Sequence, residues 1–144
     1  MEQDDTIKLL RECSAGIQMG IHSIEEILPK AQIEEVRKIL LTGLEKHQKL
    51  KAKISTLLKE DGDDEKSPNP LAQGMSWMKT NVKMAMDDSD STIAELITDG
   101  CDMGIKSLNR YLNQYKAADK KAIDLTNELI QVEEKMEDDL RRYL

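Results

Sequence analysis

Val36, Leu40, Gly43, His47, Leu50, Ile54 and Leu57 follow one another at steps of 4, 3, 4, 3, 4 and 3 residues. That rhythm lays one seam along a single face of an α-helix, and such a helix is stable only when the seam is buried against other helices. Ile39, Leu44 and Leu58 flank the seam and widen it. The same spacing returns at Ala118, Ala122, Leu125, Leu129, Val132, Met136 and Tyr143. Residues 4–28 carry Ile7, Leu10, Cys13 or Ser14, Ile17, Ile21, Ile24 and Leu28, again mostly three or four apart. The fold class is therefore all-α. Composition points the same way: Phe is absent, and 7 Gly with 3 Pro are few for a turn-rich β chain.

A chain of 144 residues fits one domain, with a core large enough to need no disulfide or metal staple. Residues 1–60 read as a first helix hairpin, with Pro29 closing its first helix or opening its second, which runs over 31–60. Residues 61–90 form an acidic loop and a crossover. The stretch from Glu60 to Pro70 holds Gly62 and two prolines among acids and cannot continue a helix. After it, Leu71, Met75, Met78, Val82 and Ala85 share one face, flanked by Trp77 and Met86, which reads as a short amphipathic helix lying across the bundle. Residues 91–144 are the second hairpin. Thr92 with Glu95 has the spacing of a capping box, the third helix reaches about Tyr115, and the fourth begins near Ala118.

The two hairpins resemble each other. Met19-Gly-Ile-His-Ser-Ile-Glu-Glu-Ile-Leu28 and Met103-Gly-Ile-Lys-Ser-Leu-Asn-Arg-Tyr-Leu112 share five of ten residues at an offset of 84, and Gly16 maps onto Gly100. The following helices align at an offset of 86, Val36 with Ala122 and Leu50 with Met136. Glycine inside a helix costs about 1 kcal/mol relative to alanine. Four of them, Gly16, Gly20, Gly100 and Gly104, imply close packing of the first helix on the third, stripe to stripe; a gap for a small ligand against bare backbone is the other reading. The second helix is about 45 Å long at 1.5 Å per residue, a distance the 61–90 connection can retrace. The second and third helices are then parallel.

Charge excludes some functions. Lys+Arg is 21 against 28 Asp+Glu, a net charge of −7. Nucleic acids and anionic membranes attract basic faces, so neither is an expected partner. The run Lys46, Lys49, Lys51, Lys53 is the one basic patch and reads as a solvated helix face. No apolar stretch approaches the roughly 20 residues of a membrane span, and no signal-peptide pattern opens the chain, so the expected location is cytoplasmic. Cys13 and Cys101 have no close second cysteine and read as small buried hydrophobes. The Asp61–Glu65 cluster lacks the glycine and glutamate a calcium loop needs. No nucleophile elbow, P-loop or dinucleotide fingerprint occurs, so no catalytic residue is assigned and the chain reads as more plausibly not an enzyme.

In layout the chain resembles the ferritin-like superfamily: two helix pairs, one long crossover and an internal repeat. The segments Gly74-Met-Ser-Trp-Met-Lys-Thr-Asn-Val82, Asp99-Gly-Cys-Asp-Met-Gly-Ile-Lys-Ser107 and Tyr111-Leu-Asn-Gln-Tyr115 look like small bacterial proteins of that type. The resemblance implies a four-helix bundle of two hairpins. Metal-binding bundles of this kind use inward glutamates on two helices and Glu-x-x-His on the other two. Here Met19 lies three before His22 and Leu44 three before His47, so the motif is missing. The resemblance thus carries the fold and argues against a di-iron cofactor.

Two sets of residues remain as candidates. His47 lies on the seam of the second helix, and the offset of 86 makes Glu133 its equivalent in the fourth. The pair reads either as a polar contact that sets bundle register or as a mononuclear or degenerate metal site. Met75, Trp77, Met78 and Val82 form a face suited to a partner, because methionine surfaces adapt and tryptophan anchors interfaces. The expected function is a non-enzymatic structural or interaction module, acting as a homodimer or with another protein; a metal-binding bundle is the alternative.

Overall fold

The computed structural model describes residues 2–60 and 89–144. Among the described residues are four α-helices and no strand: α1 (Glu2–Ile27), α2 (Glu34–Glu60), α3 (Asp90–Gln114) and α4 (Lys120–Leu140). Short 3₁₀ turns follow α1 at Leu28–Lys30 and α4 at Arg141–Tyr143. No described helix is long and apolar enough to cross a membrane. The expected crossover helix, with Met75, Trp77, Met78 and Val82, lies outside the described residues.

Local chemistry explains where the helices start. Pro29 falls within the 3₁₀ turn, and α2 opens at Glu34 rather than at residue 31, with Glu34 and Glu35 in its first turn near the positive end of the helix dipole. The cap of α3 is Ser89, not Thr92: the Ser89 hydroxyl accepts the Thr92 N–H at 3.3 Å. Asp119 caps α4 by accepting the Ala122 N–H at 2.9 Å.

Hydrogen bonds between distant segments set the topology. The Asp90 carboxylate, at the start of α3, accepts the N–H groups of Gln32 and Ile33 just ahead of α2, the shorter contact being 2.8 Å. At the other end of the bundle Asp5 accepts the Ala117 N–H at 3.0 Å, and Thr6 Oγ1 accepts the Asp119 N–H at 2.8 Å. The starts of α2 and α3 therefore lie together, and those two helices are parallel, as the length of the connection predicts. α1 packs on α2 and α3 on α4; the hairpins meet along α2–α4 and α1–α3. α1 also touches α4 across the middle, where Cys13 Sγ and Thr126 Oγ1 are 3.2 Å apart. Both cysteines are buried free thiols.

The internal repeat is visible in what is buried. Thr6, Leu9, Leu10, Cys13, Ser14, Ile17 and Ile24 of α1 are buried, and so are their counterparts 84 residues on: Asp90, Ile93, Ala94, Ile97, Thr98, Cys101 and Leu108. Val36, Leu40, Leu50 and Ile54 of α2 match Ala122, Thr126, Met136 and Leu140 of α4, 86 residues on. Even the ties at the two ends correspond. Thr6 holds the amide of residue 119, and Asp90, its equivalent, holds the amide of residue 33. The seam of α2 ends differently from its heptad reading: Leu58 is buried and Leu57 only half-buried, because a straight helix drifts off a strict seven-residue period.

Candidate functional site

His47 lies near the midpoint of α2 and is 1% exposed. Glu133 faces it from α4, with its side chain 13% exposed. The two are joined by a hydrogen bond of 2.9 Å between His47 Nε2 and Glu133 Oε1. His47 Nδ1 stands 2.7 Å from the carbonyl oxygen of Gly43, one turn earlier on its own helix. A carbonyl only accepts, so Nδ1 carries a proton. Nε2 is then the nitrogen that faces the Glu133 carboxyl, an arrangement that favours a charged ring beside a carboxylate. The balance of forces on the ring agrees. Burial favours the neutral form, but the Glu133 hydrogen bond and charge and the Gly43 carbonyl outweigh it, and the His47 pKa is raised above its ordinary 6.5.

Cys101, the counterpart of Ile17 on the inner face of α3, is buried within the influence of Glu133. Burial first, then the charge and hydrogen bond of Glu133, and more weakly Glu137 and Asp102, drive its thiol far above the usual cysteine range. A thiol in such surroundings is held in its protonated form. Closer to the surface Glu137 of α4 meets Asp102 of α3. The hydrogen bond between these carboxyls, with some burial and the Asp102 charge, raises Glu137 to about 7. Among the described residues no group of three or more His, Cys, Asp and Glu is arranged to hold a metal ion.

The glycines divide in a way the stripe reading misses. Gly16 and Gly100, expected to pack closely, face open space: a Cβ on either would meet nothing within 4 Å. Gly20 and Gly104 do make room, but for side chains rather than for each other. A Cβ on Gly20 would stand 3.0 Å from His47 Nε2, and one on Gly104 would stand 3.6 Å from the Glu133 carboxyl. The equivalent glycines of the two hairpins thus flank the two equivalent members of the pair. The ligand gap read from the four glycines is filled at Gly20 and Gly104 by His47 and Glu133. A third glycine, Gly43, admits Met136, whose sulfur would lie 2.5 Å from an added Cβ.

The offset of 86 residues pairs His47 with Glu133 in sequence, and in the structure they are in contact. Cys101 carries no such signal and reads in sequence as one more small hydrophobe. Nor does Asp90, an acid in a helix's first turn whose carboxylate serves a different helix. Comparisons with protein families, with curated proteins and with solved structures return no match for this chain.

Proposed function

We propose that the chain is a non-enzymatic structural or interaction module of ferritin-like layout, working in the cytoplasm, with a protein ion pair in the central place that metal takes in metal-binding bundles. One observation carries the reading. Both ring nitrogens of His47 are committed, to the Gly43 carbonyl and to Glu133, and Glu133 in turn is held by His47. A centre saturated in this way leaves no group to act on a substrate. What it does is align the hairpins, since the bond forms only when α2 and α4 are in register, a known use of core polar pairs. Function then lies on the outside, in contacts with a second copy or another protein. Support comes from Met103, 69% exposed at the middle of α3, and from Leu41 and Ile33 on the α2 side. The segment holding Met75, Trp77, Met78 and Val82 belongs to the same proposal.

A second reading has an observation of its own. Histidines that bind metal commonly donate their other N–H to a backbone carbonyl, and His47 does so through Nδ1, which directs Nε2 to a carboxylate. The two readings part under calorimetric titration of metal-free protein with Fe(II), Mn(II) and Zn(II), with His47→Ala as control. The structural reading expects no specific uptake. Stoichiometric binding lost in His47→Ala would replace it with a mononuclear centre. Solution mass against concentration, followed with Trp77 fluorescence, tests self-association.

A further inference from the structure

On the face where α2 and α4 meet, the two helices border a half-open groove of about 140 Å³. Its floor is apolar, made by Ile39 and Gly43 of α2 with Val132 and Met136 of α4. Its rim is cationic. Lys38, Lys46 and Lys135 line it against one carboxylate, Asp139. Asp139 is taken by Lys135 at 2.9 Å. Lys38 is 4.0 Å from Glu35, a loose contact between two largely exposed groups, and Lys46 forms no ion pair with another described residue. On a chain of net charge −7 this is a local reversal of sign.

An apolar floor under surplus ammonium groups complements a molecule with a compact greasy body and one negative charge. Size narrows the body: about 140 Å³ is room for one ring or a short branched chain, with one side left to solvent. We propose that this groove binds a small carboxylate with a compact apolar body, an aromatic or short branched-chain acid. The body rests on Met136 and Gly43, and the carboxylate faces the ammonium of Lys46 with Lys38 adding to the field. Gly43 is the enabling residue, because it lets Met136 lie low in the floor. The inference stands apart from the reading of the His47–Glu133 pair.

The test is titration of the full ¹⁵N-labelled chain with benzoate, following the Gly43 amide and the Met136 methyl group. Benzyl alcohol has the ring without the charge, and acetate the charge without the ring. Benzoate is expected to shift both reporters saturably, and each comparator to bind at least about fivefold more weakly. Lys46→Gln, an exposed change that circular dichroism checks for folding, weakens benzoate about fivefold, the effect of losing one exposed ion pair, and leaves benzyl alcohol unchanged. Lys106→Gln on α3 changes neither. The proposal is overturned if benzoate gives no saturable shift at Gly43 and Met136. It is equally overturned if benzyl alcohol binds as well as benzoate, or if Lys46→Gln leaves benzoate affinity intact.

Discussion

Replacing Gly20 by alanine sets two forces against each other, and the geometry decides between them. In a helix interior the substitution ordinarily stabilises by about 1 kcal/mol. At Gly16 and Gly100 an added Cβ meets open space, so each alanine should deliver that gain, roughly 3 °C in Tm for a domain of this size. At Gly20 the same Cβ stands 3.0 Å from His47 Nε2 and 3.1 Å from Cδ2. The ring cannot step aside without stretching its bond to Gly43 or to Glu133, at 2.7 and 2.9 Å. Overpacking of this kind costs about 1–3 kcal/mol, which cancels the gain or exceeds it. Gly20→Ala should therefore be about 1–3 kcal/mol less stable than Gly16→Ala in urea or thermal unfolding followed by circular dichroism. In a His47→Ala background the clash disappears, and Gly20→Ala should recover its stabilising sign, a coupling that a double-mutant cycle isolates. A Gly20→Ala protein as stabilised as Gly16→Ala, in the presence of His47, would refute the argument that the glycine exists to seat the ring.

The other expectations concern the same centre and its supports. His47→Ala leaves the Glu133 carboxylate half-buried beside Cys101 and should cost about 3 kcal/mol, whereas replacing both partners with apolar residues should restore much of that loss in urea melts. Because His47 has a raised pKa in the folded chain, its contribution is fully present below pH 6.5 and is lost as pH rises through the folded value. Glu137 acts in the same direction over a lower range. The folded chain keeps a proton up to about 7 that the unfolded chain releases near 4.5, so stability falls as pH rises between them. Wild type should lose stability from pH 5 to pH 7 through Glu137, with a smaller slope in Asp102→Asn, and above pH 6.5 through His47, with a smaller slope in His47→Gln; a flat profile in wild type from pH 5 to pH 8 would contradict both assignments. Asp90→Ala removes the acceptor for two amides ahead of α2 and should cost about 1–3 kcal/mol, with faster hydrogen exchange at Gln32 and Ile33 as the local sign.

A buried ion pair is a poor source of stability, since desolvation offsets most of its attraction. Its place at the meeting of two pseudo-equivalent hairpins gives it a different use. Apolar seams of similar pattern tolerate a slip of one turn, because leucine against isoleucine differs little from leucine against methionine. A histidine that must find one glutamate does not tolerate it. The glycines opposite each partner sharpen the choice in one direction, since a slip of one turn toward Ile24 or Leu108 would bring a side chain to each place now left open.

The local features of this protein are legible in its chain. The seam from Val36 to Ile54 and its counterpart from Ala122 to Leu140 give helices, because a period near 3.6 has no other compact solution. The offset of 84 residues between α1 and α3 and of 86 between α2 and α4 carries the equivalence of His47 and Glu133, and the length of the connection carries the parallel course of α2 and α3. Tertiary structure alone decides what each residue meets. Gly16 and Gly20 lie on nearly the same face of α1, one turn or about 6 Å apart, so their pattern in sequence is the same. Only Gly20 stands at the height where α2 presents a large ring. Periodicity encodes the angle around a helix axis, but the height at which a neighbouring helix offers a given side chain depends on how the helices are docked. For that reason a Gly-x-x-x-Gly stripe becomes one exposed site and one seat for a histidine, and Asp90 becomes an anchor for the segment ahead of α2.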